Sequence, residues 1–203
     1  GDIAGDPPVT GLQLLQQSYP NGGTLRFYGQ INRGFLSFDD GLATRQYNFI
    51  DSAASGTRIG VTYDQNIGGW DYLGNIEVQY APFSNANTNI LSPRPTSAQR
   101  ELGPGNIRRI DNRLSNPRYG FIHFGQGSMA SDGAAGIDLS GTAVVSSSSV
   151  ADIAAAQLFR QSDGTLSTIQ MANAFANYSG LGRLVRVRYD TPTVYGFELR
   201  TSY

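Results

Sequence analysis

Arginine and aspartate supply most of the side chains that could do chemistry in this chain of 203 residues. All fifteen basic residues are Arg and none is Lys, whereas thirteen of the sixteen acidic residues are Asp. Arg stays charged beside other ions and holds its donors in a fixed geometry, so it suits permanent ion pairs and standing electric fields. A GC-rich genome would produce the same bias without a functional cause.

The residue types argue against catalysis and metal binding. The chain has no Cys and a single His, His123, so no catalytic triad and no His/Cys metal site can be built around it. We expect no enzyme activity, no metal and no cofactor. The net charge of −1 argues against nucleic acid as a partner, because phosphate binding requires a surplus of Lys and Arg.

Two runs of alternating apolar and polar residues lie between residues 56 and 80, on either side of Gly68 and Gly69. A period of two predicts a β-hairpin with one apolar face and one charged face. Each run is about ten residues long, which is the length of a tilted strand that crosses a bilayer core. The apolar face therefore meets either lipid or the core of a soluble protein.

Similar alternation predicts about seven strands in all, enough for part of a barrel. The other predicted strands cover residues 24–38, 107–115, 118–126, 183–190 and 194–203. Tight turns alternate with long connections, which is the asymmetry of outer-membrane barrels. Residues 1–23 are interpreted as an N-terminal extension with one or two helical turns at 11–17. A further helix is predicted over 150–159.

Several segments, taken in order, resemble Gram-negative general porins, especially the alphaproteobacterial type. They are residues 28–30, 57–61, 119–133, 137–142 and 187–193. The resemblance runs over 24–203 and implies an all-β fold, an antiparallel transmembrane β-barrel of the porin type. Members of that family are homotrimers of sixteen-stranded barrels, which implies that this chain corresponds to the N-terminal half of such a porin. A complete small barrel of about eight strands is the alternative.

The resemblance also implies which charges meet solutes. The long connection 127–181 falls where the family places the constriction loop, which folds inward to narrow the pore. Acidic residues of that loop would line one side of the pore: Asp132, Asp138, Asp152 and Asp163. Basic residues of the strands would line the opposite wall: Arg58, Arg109, Arg113, Arg186 and Arg188. The alternative role of each arginine is an ordinary exposed charge, and that of Asp132 and Asp163, each followed by Gly, is turn formation.

These features together predict a passive diffusion channel for ions and small hydrophilic solutes in the bacterial outer membrane. Its partners would be outer-membrane lipid, the solutes and two further copies of itself in a homotrimer. Selectivity would come from a transverse field between the strand arginines and the loop acids. Two alternatives stay open: a structural outer-membrane barrel that anchors or tethers an envelope layer, and a soluble carbohydrate-binding or hydrolytic β-sandwich.

Overall fold

The protein is built from β-strands. The computed structural model describes residues 12–94, 96, 100–134, 136, 138–139, 141–146, 150–175 and 180–203. The strands in these residues are β1 (Leu12–Ser18), β2 (Thr24–Gln30), β3 (Arg33–Asp39), β4 (Thr44–Asp51), β5 (Arg58–Ile67), β6 (Trp70–Gln79), β7 (Ile107–Asn116), β8 (Gly120–Ser128), β9 (Leu158–Arg160), β10 (Leu166–Gln170), β11 (Arg183–Asp190) and β12 (Arg200–Ser202). Two 3₁₀ turns, Pro104–Asn106 and Val150–Ile153, and a single-turn helix, α1 (Met171–Ala174), are also present.

Eight of the strands form one antiparallel sheet, called the main sheet, in the order β1-β2-β5-β6-β7-β8-β11-β12. Neighbours in this order follow one another along the chain except where a separate hairpin intervenes. The β3–β4 hairpin lies between β2 and β5 in the sequence, and the β9–β10 hairpin lies between β8 and β11. This order confirms the predicted antiparallel all-β fold. No helix in the described part of the chain has both the length and the apolar composition needed to cross a membrane.

The N-terminal part of the chain differs from the sequence prediction. Residues 12–18 form β1 and pair with β2, so the helical turns predicted at 11–17 are wrong and the main sheet has eight strands instead of the expected seven or so. The predicted strand 24–38 is two strands, because the chain leaves the main sheet after Gln30 and β3 pairs with β4. Residues 1–11 of the assigned extension lie outside the described residues.

Two other predicted elements are also replaced. The helix expected over 150–159 is a 3₁₀ turn followed by β9, and its proposed cap, Ser149, lies outside the described residues. The physical reason is that backbone groups in this segment bond to other segments instead of to one another: the Ala156 N–H donates to the Asn85 carbonyl at 3.1 Å. The strand predicted over 194–203 is regular only from Arg200, because residues 194–197 form a tight turn.

Short and long connections lie at opposite ends of the main sheet. The short ones are residues 19–23, 68–69, 117–119 and 191–199, and the long ones are residues 31–57, 80–106 and 129–182. Gly68 and Gly69 have φ angles of 59° and 86°, the left-handed conformation that a two-residue hairpin turn requires. The alternation of tight turns and long connections predicted from the sequence is therefore confirmed in this sheet.

The main sheet exposes its apolar face. Ile59 on β5 is 57% exposed, and Val185 on β11 is 80% exposed. The side chains that alternate with such residues are covered, since Glu77 is 5% and Arg186 is 3% exposed. A one-sided sheet of a water-soluble protein shows the opposite arrangement, with apolar side chains covered and charged ones in water. The polarity of this sheet is therefore inverted.

Most buried apolar side chains of the described residues lie in the long connections. Leu36, Tyr47 and Ile50 of the β3–β4 hairpin form a cluster against which Phe83 packs. The others in these connections are Met129, Ala154, Ala155, Ala156 and Leu158. Among the main-sheet side chains whose burial the structure describes, Tyr28 is the one buried member of this class. The three long connections thus pack against one another into what we call the loop cap.

Candidate functional site

The covered side of the main sheet concentrates ionisable side chains, and we call it the charged face. The strand registers place these residues on it: Tyr28, Arg58, Glu77, Arg109, Asp111, Arg113, His123, Arg186, Arg188 and Asp190. They share one side because successive side chains of a strand alternate between faces. The five arginines predicted to line a pore are all among them.

Glu77 is the centre of one group of charges, at the end of the charged face that leads into the loop cap. Its Oε1 accepts a hydrogen bond of 2.6 Å from Arg108 Nε, and its Oε2 accepts one of 3.0 Å from the Tyr28 hydroxyl. Arg58 Nε lies 3.6 Å from the same Oε2. A single carboxylate therefore faces two guanidinium groups.

A β-bulge brings both Arg108 and Arg109 to this group. Glu77 pairs with Arg109 and Val78 pairs with Ile107, so β7 contains one residue more than β6 at this point. The extra residue is Arg108, and a bulge of this kind allows two successive side chains to turn to the same side. Arg108 and Arg109 consequently both lie near Glu77, although simple alternation would separate them.

His123 is the centre of a second group. Arg186 makes two hydrogen bonds with the Asp111 carboxylate, at 2.8 and 3.0 Å, and Arg188 makes two with Asp190, both at 2.7 Å. The imidazole lies between the two pairs, with Nδ1 4.0 Å from Asp111 Oδ2 and Nε2 3.7 Å from Asp190 Oδ2. All five side chains are largely or fully buried. The setting of His123 between two ion pairs is that of a structural residue.

Arg113 lies beside this second group without a bidentate partner. Its register neighbour on β8 is His123, and its Cζ is 5.7 Å from the centroid of the Phe121 ring. Within the described residues, Arg113 Nε makes no hydrogen bond. A cation–π contact with the face of this ring partly replaces the hydrogen bond that Nε lacks.

Three of the predicted loop acids are half-buried in the third long connection, residues 129–182. Asp132 lies in a turn directly after β8, where its N–H donates to the Met129 carbonyl at 3.1 Å. Asp138 follows along the same connection. Asp152 lies in the 3₁₀ turn Val150–Ile153, and burial raises the pKa of its carboxyl group.

Asp163 has a turn-forming role. Its Oδ1 accepts hydrogen bonds from the N–H of Thr165 at 2.9 Å and from the hydroxyl of Thr165 at 2.7 Å. These bonds lower the pKa of the Asp163 carboxyl group. The side chain therefore closes the turn between β9 and β10, which was the alternative role open to it.

The carboxylate partners of Arg58, Arg186 and Arg188 come from strands: Glu77, Asp111 and Asp190. The sequence interpretation placed the negative side of the site on the loop instead. Alternation alone puts Glu77 on the polar side of its hairpin, but pairing it with Arg58 requires the register. The sequence did not identify Arg108 as a site residue, because the bulge that turns it inward has no sequence marker.

The third long connection extends from β8 to the region just beyond β2. It leaves β8 at Ser128, and the carbonyl of Val144 accepts a hydrogen bond of 2.5 Å from Asn32, which lies just beyond β2. The Ser52 hydroxyl donates to the Val145 carbonyl at 3.3 Å. β2 and β8 are separated by β5, β6 and β7, a span of roughly 19 Å at about 4.8 Å per strand.

Two buried amides attach this connection to the rest of the loop cap. Asn85 Nδ2 donates to the carbonyl groups of residues 152 and 153, at 2.6 and 2.9 Å. Gln157 Nε2 donates to the Thr88 carbonyl at 2.7 Å, and its Oε1 accepts a longer bond of 3.4 Å from the Tyr47 hydroxyl. The position of the third connection is thus set by the other two.

Comparison with known proteins identifies no homologue of this chain. Within the described residues, no three His, Cys, Asp or Glu side chains are grouped as metal ligands would be. No protein-family model, no curated protein and no solved structure matches this chain.

Proposed function

We propose that this protein forms the wall of a passive diffusion channel in the bacterial outer membrane. The inverted polarity of the main sheet carries the proposal: Ile59 and Val185 are exposed on one face, while Glu77 and Arg186 are covered on the other. Leaving a Val or Ile side chain in water instead of burying it costs about 1.5–3 kcal/mol. Hydrocarbon tails against this face remove that cost.

The strand geometry supports a membrane location. β5, β6 and β7 each have ten residues, and a tilted transmembrane strand has about 9–11. The six inner strands of the main sheet have hydrogen-bonded neighbours on both sides, as hydrocarbon demands, and β1 and β12 are its two edges. Short turns at one end and long connections at the other are also typical of outer-membrane barrels.

The charged face would act on solutes through its fixed charges. Arginine and carboxylate groups held at a wall order the water beside them and orient dipolar solutes. An apolar solute would disturb that water without gaining a partner, so small hydrophilic solutes and ions would pass preferentially. The third long connection, which runs from β8 to the region beyond β2, would narrow the passage. No covalent step is involved.

The transverse electric field in this proposal differs from the one that the sequence predicted. Arg58, Arg186 and Arg188 are paired with strand carboxylates, so much of the opposing charge lies on the same wall. The loop acids Asp132, Asp138 and Asp152 would add a weaker negative contribution from the loop cap. The homotrimer implied by the resemblance stays a prediction.

The decisive experiment exchanges one residue of the exposed apolar face. In a channel wall, Val185→Arg places a charge in lipid at a cost of about 2–4 kcal/mol near the bilayer centre, which should sharply reduce insertion into liposomes. Val185→Ala is the matched control and should insert as the original protein does. If the face were in water, Val185→Arg would leave solubility and folding intact or improve them.

Planar-bilayer recording of the purified full chain then tests conduction. Stepwise current increases with constant unit size are expected. Partition into detergent and lipid without current steps would support an anchoring barrel instead. A protein that stays in solution without detergent would support the soluble β-sandwich and contradict the proposal.

A further inference from the structure

The charges of the charged face divide into a neutralised group and an unbalanced group. Arg186 and Arg188 each form a bidentate pair, with Asp111 and Asp190. Such pairs are short and directional, and their opposite charges largely cancel at a distance. A passing solute would therefore feel little of these four charges.

The unbalanced group lies at the loop end. Glu77 alone faces Arg58 and Arg108, and Arg109 is its register partner. Arg183, the first residue of β11, belongs to the same neighbourhood, since Arg108, Arg109 and Glu77 are among the charged groups that interact with it. Four strand arginines thus lie near the strand carboxylate Glu77, and Glu101 and Asp132 of the long connections are further acids in this part of the molecule.

The guanidinium of Arg183 is unoccupied within the described part of the chain. The residue is exposed, and among the described residues it makes neither a hydrogen bond nor an ion pair. Asp132 attracts it electrostatically without forming a pair. The five N–H donors of this group are therefore available to an external acceptor.

A cavity of about 560 Å³ opens beside this guanidinium. The polar and charged residues on its wall include Gln79, Glu101, Asn106, Arg108, Gln126 and Arg183. Sites for small organic molecules typically enclose about 300–1,000 Å³, so the space is sufficient for a solute of that size. Both arginines line this cavity; Arg108 is anchored by Glu77 and Gln79, whereas Arg183 makes no hydrogen bond within the described residues.

We infer that this cavity binds a small phosphate or carboxylate anion between Arg108 and Arg183. Planar guanidinium groups match the oxygen geometry of both kinds of anion and bind them in a bidentate manner. The anion would be held at the loop end of the main sheet, beside the loop cap. The role of this site in solute entry rests on the proposed function, but anion binding itself does not require conduction.

Glu101 allows a test in which two substitutions should have opposite effects on anion binding. Its carboxylate is on the cavity wall and repels an anion, so Glu101→Gln should strengthen binding, whereas Arg183→Gln should weaken it. Both side chains are exposed, so neither change disturbs a packed interior. Arg118→Gln is the matched control, because Arg118 is an exposed arginine in the short turn at the opposite end of the sheet.

The binding experiment is calorimetric titration of the purified full chain, in an uncharged detergent at low ionic strength, with inorganic phosphate. Saturable binding is expected, about tenfold weaker in Arg183→Gln because charge-assisted hydrogen bonds are lost. Glu101→Gln should bind more tightly, and Arg118→Gln should match the original protein. Absence of saturable binding, or equal affinity in Arg183→Gln and Arg118→Gln, overturns the inference.

A lipid headgroup could supply the same phosphate chemistry, so a second titration uses detergent micelles that contain phosphatidate. Competition between phosphatidate and inorganic phosphate at a site that also binds phosphate alone is consistent with a solute site. Arg183-dependent binding to phosphatidate, with none to inorganic phosphate, would assign the cavity to a lipid and overturn the solute assignment.

Reversal potentials in uncharged planar bilayers separate this inference from the proposed function. With conduction, Arg183→Gln should shift selectivity toward cations and Arg118→Gln should not. Phosphate binding through Arg183 in a protein that forms no channel would contradict the proposed function alone. Channels whose phosphate affinity and selectivity are both unaffected by Arg183→Gln would contradict the inference alone.

Discussion

Arg186 reaches Asp111 across the backbone of an intervening strand. Asp111 on β7 pairs with Gly125 on β8, and Gly125 pairs with Arg186 on β11. The guanidinium passes over β8, donates to the Gly125 carbonyl at 3.1 Å and makes two bonds with Asp111. The pair therefore ties together three strands of the main sheet.

Removing one member of this pair should destabilise the protein strongly. Arg186→Gln leaves the largely buried Asp111 without its bidentate partner, which typically costs about 3–5 kcal/mol of unfolding free energy. The double variant Arg186→Gln with Asp111→Asn should recover much of this loss, since no lone charge remains. Chemical unfolding in detergent, followed by circular dichroism, measures both, and equal stability of single and double variants would contradict the argument.

Gly127 should be intolerant of a side chain, because the Arg186–Asp111 pair occupies the space beside it. A Cβ atom at Gly127 would lie 2.7 Å from both Arg186 Nη2 and Asp111 Oδ2, closer than real contacts allow. Gly127→Ala should therefore displace the pair and cost about 1–3 kcal/mol, the usual effect of overpacking. Gly182→Ala, where the added Cβ meets open space, is the control. Thermal unfolding in the same detergent distinguishes the two variants, and equal transition temperatures would count against this packing.

Asn85 should control the order of the third long connection. The side chain is buried, donates to the carbonyl groups of residues 152 and 153 and accepts from the Ala53 N–H at 2.8 Å. Asn85→Ala leaves these backbone groups unpaired at about 1–3 kcal/mol each. Hydrogen exchange should then accelerate in residues 150–157 and stay unchanged in the main sheet. The exposed neighbour Asn87→Ala is the control, and identical exchange in both variants would exclude this anchoring role.

The Asp40–Arg160 ion pair should make the loop cap sensitive to acid. Arg160 Nη2 lies 2.9 Å from Asp40 Oδ2 and, with the N–H groups of Leu42 and Ala43, lowers the pKa of the Asp40 carboxyl group. Because the folded-state pKa is lowered, the stabilisation is complete above the unfolded value, about pH 4, and is lost as the pH falls further.

Limited proteolysis of the β3–β4 and β9–β10 hairpins checks this dependence. At neutral pH, Asp40→Asn should be cleaved faster than the original protein, and this difference should shrink progressively as the pH falls below about 4 toward the folded-state pKa. Arg160→Gln should behave like Asp40→Asn, and adding it to that variant should change little further. A constant difference in cleavage across this pH range would contradict the assignment to Asp40.

The charge preference of the proposed channel should depend on Arg58 and Arg113. Neither has a bidentate carboxylate partner, since Arg58 lies 3.6 Å from Glu77 and Arg113 contacts the Phe121 ring. Neutralising both to Gln should remove two weakly compensated positive charges and raise cation preference in single-channel reversal potentials. Arg118→Gln is the control at the opposite end of the sheet. No shift in the reversal potential would remove both arginines from the conducting surface.

The sequence by itself determined which residues share a face. Alternation around Gly68 and Gly69 identifies the β5–β6 hairpin, and the same period places Arg58 and Glu77 on the polar side, because side-chain direction in a strand depends only on local backbone geometry. It also identified β11 with its observed bounds. It failed for β1, whose residues 12–18 alternate poorly and are strands only because β2 offers a partner.

Only the tertiary structure decided which charges meet and which side of the sheet is covered. Register sets the pairing of Arg186 with Asp111 across Gly125, and a bulge turns Arg108 toward Glu77. Both depend on strands far apart in the chain, so no local pattern contains them. The exposure of Ile59 and the burial of Glu77 likewise follow from the packing of the whole sheet and its loop cap, where the core of this protein is found.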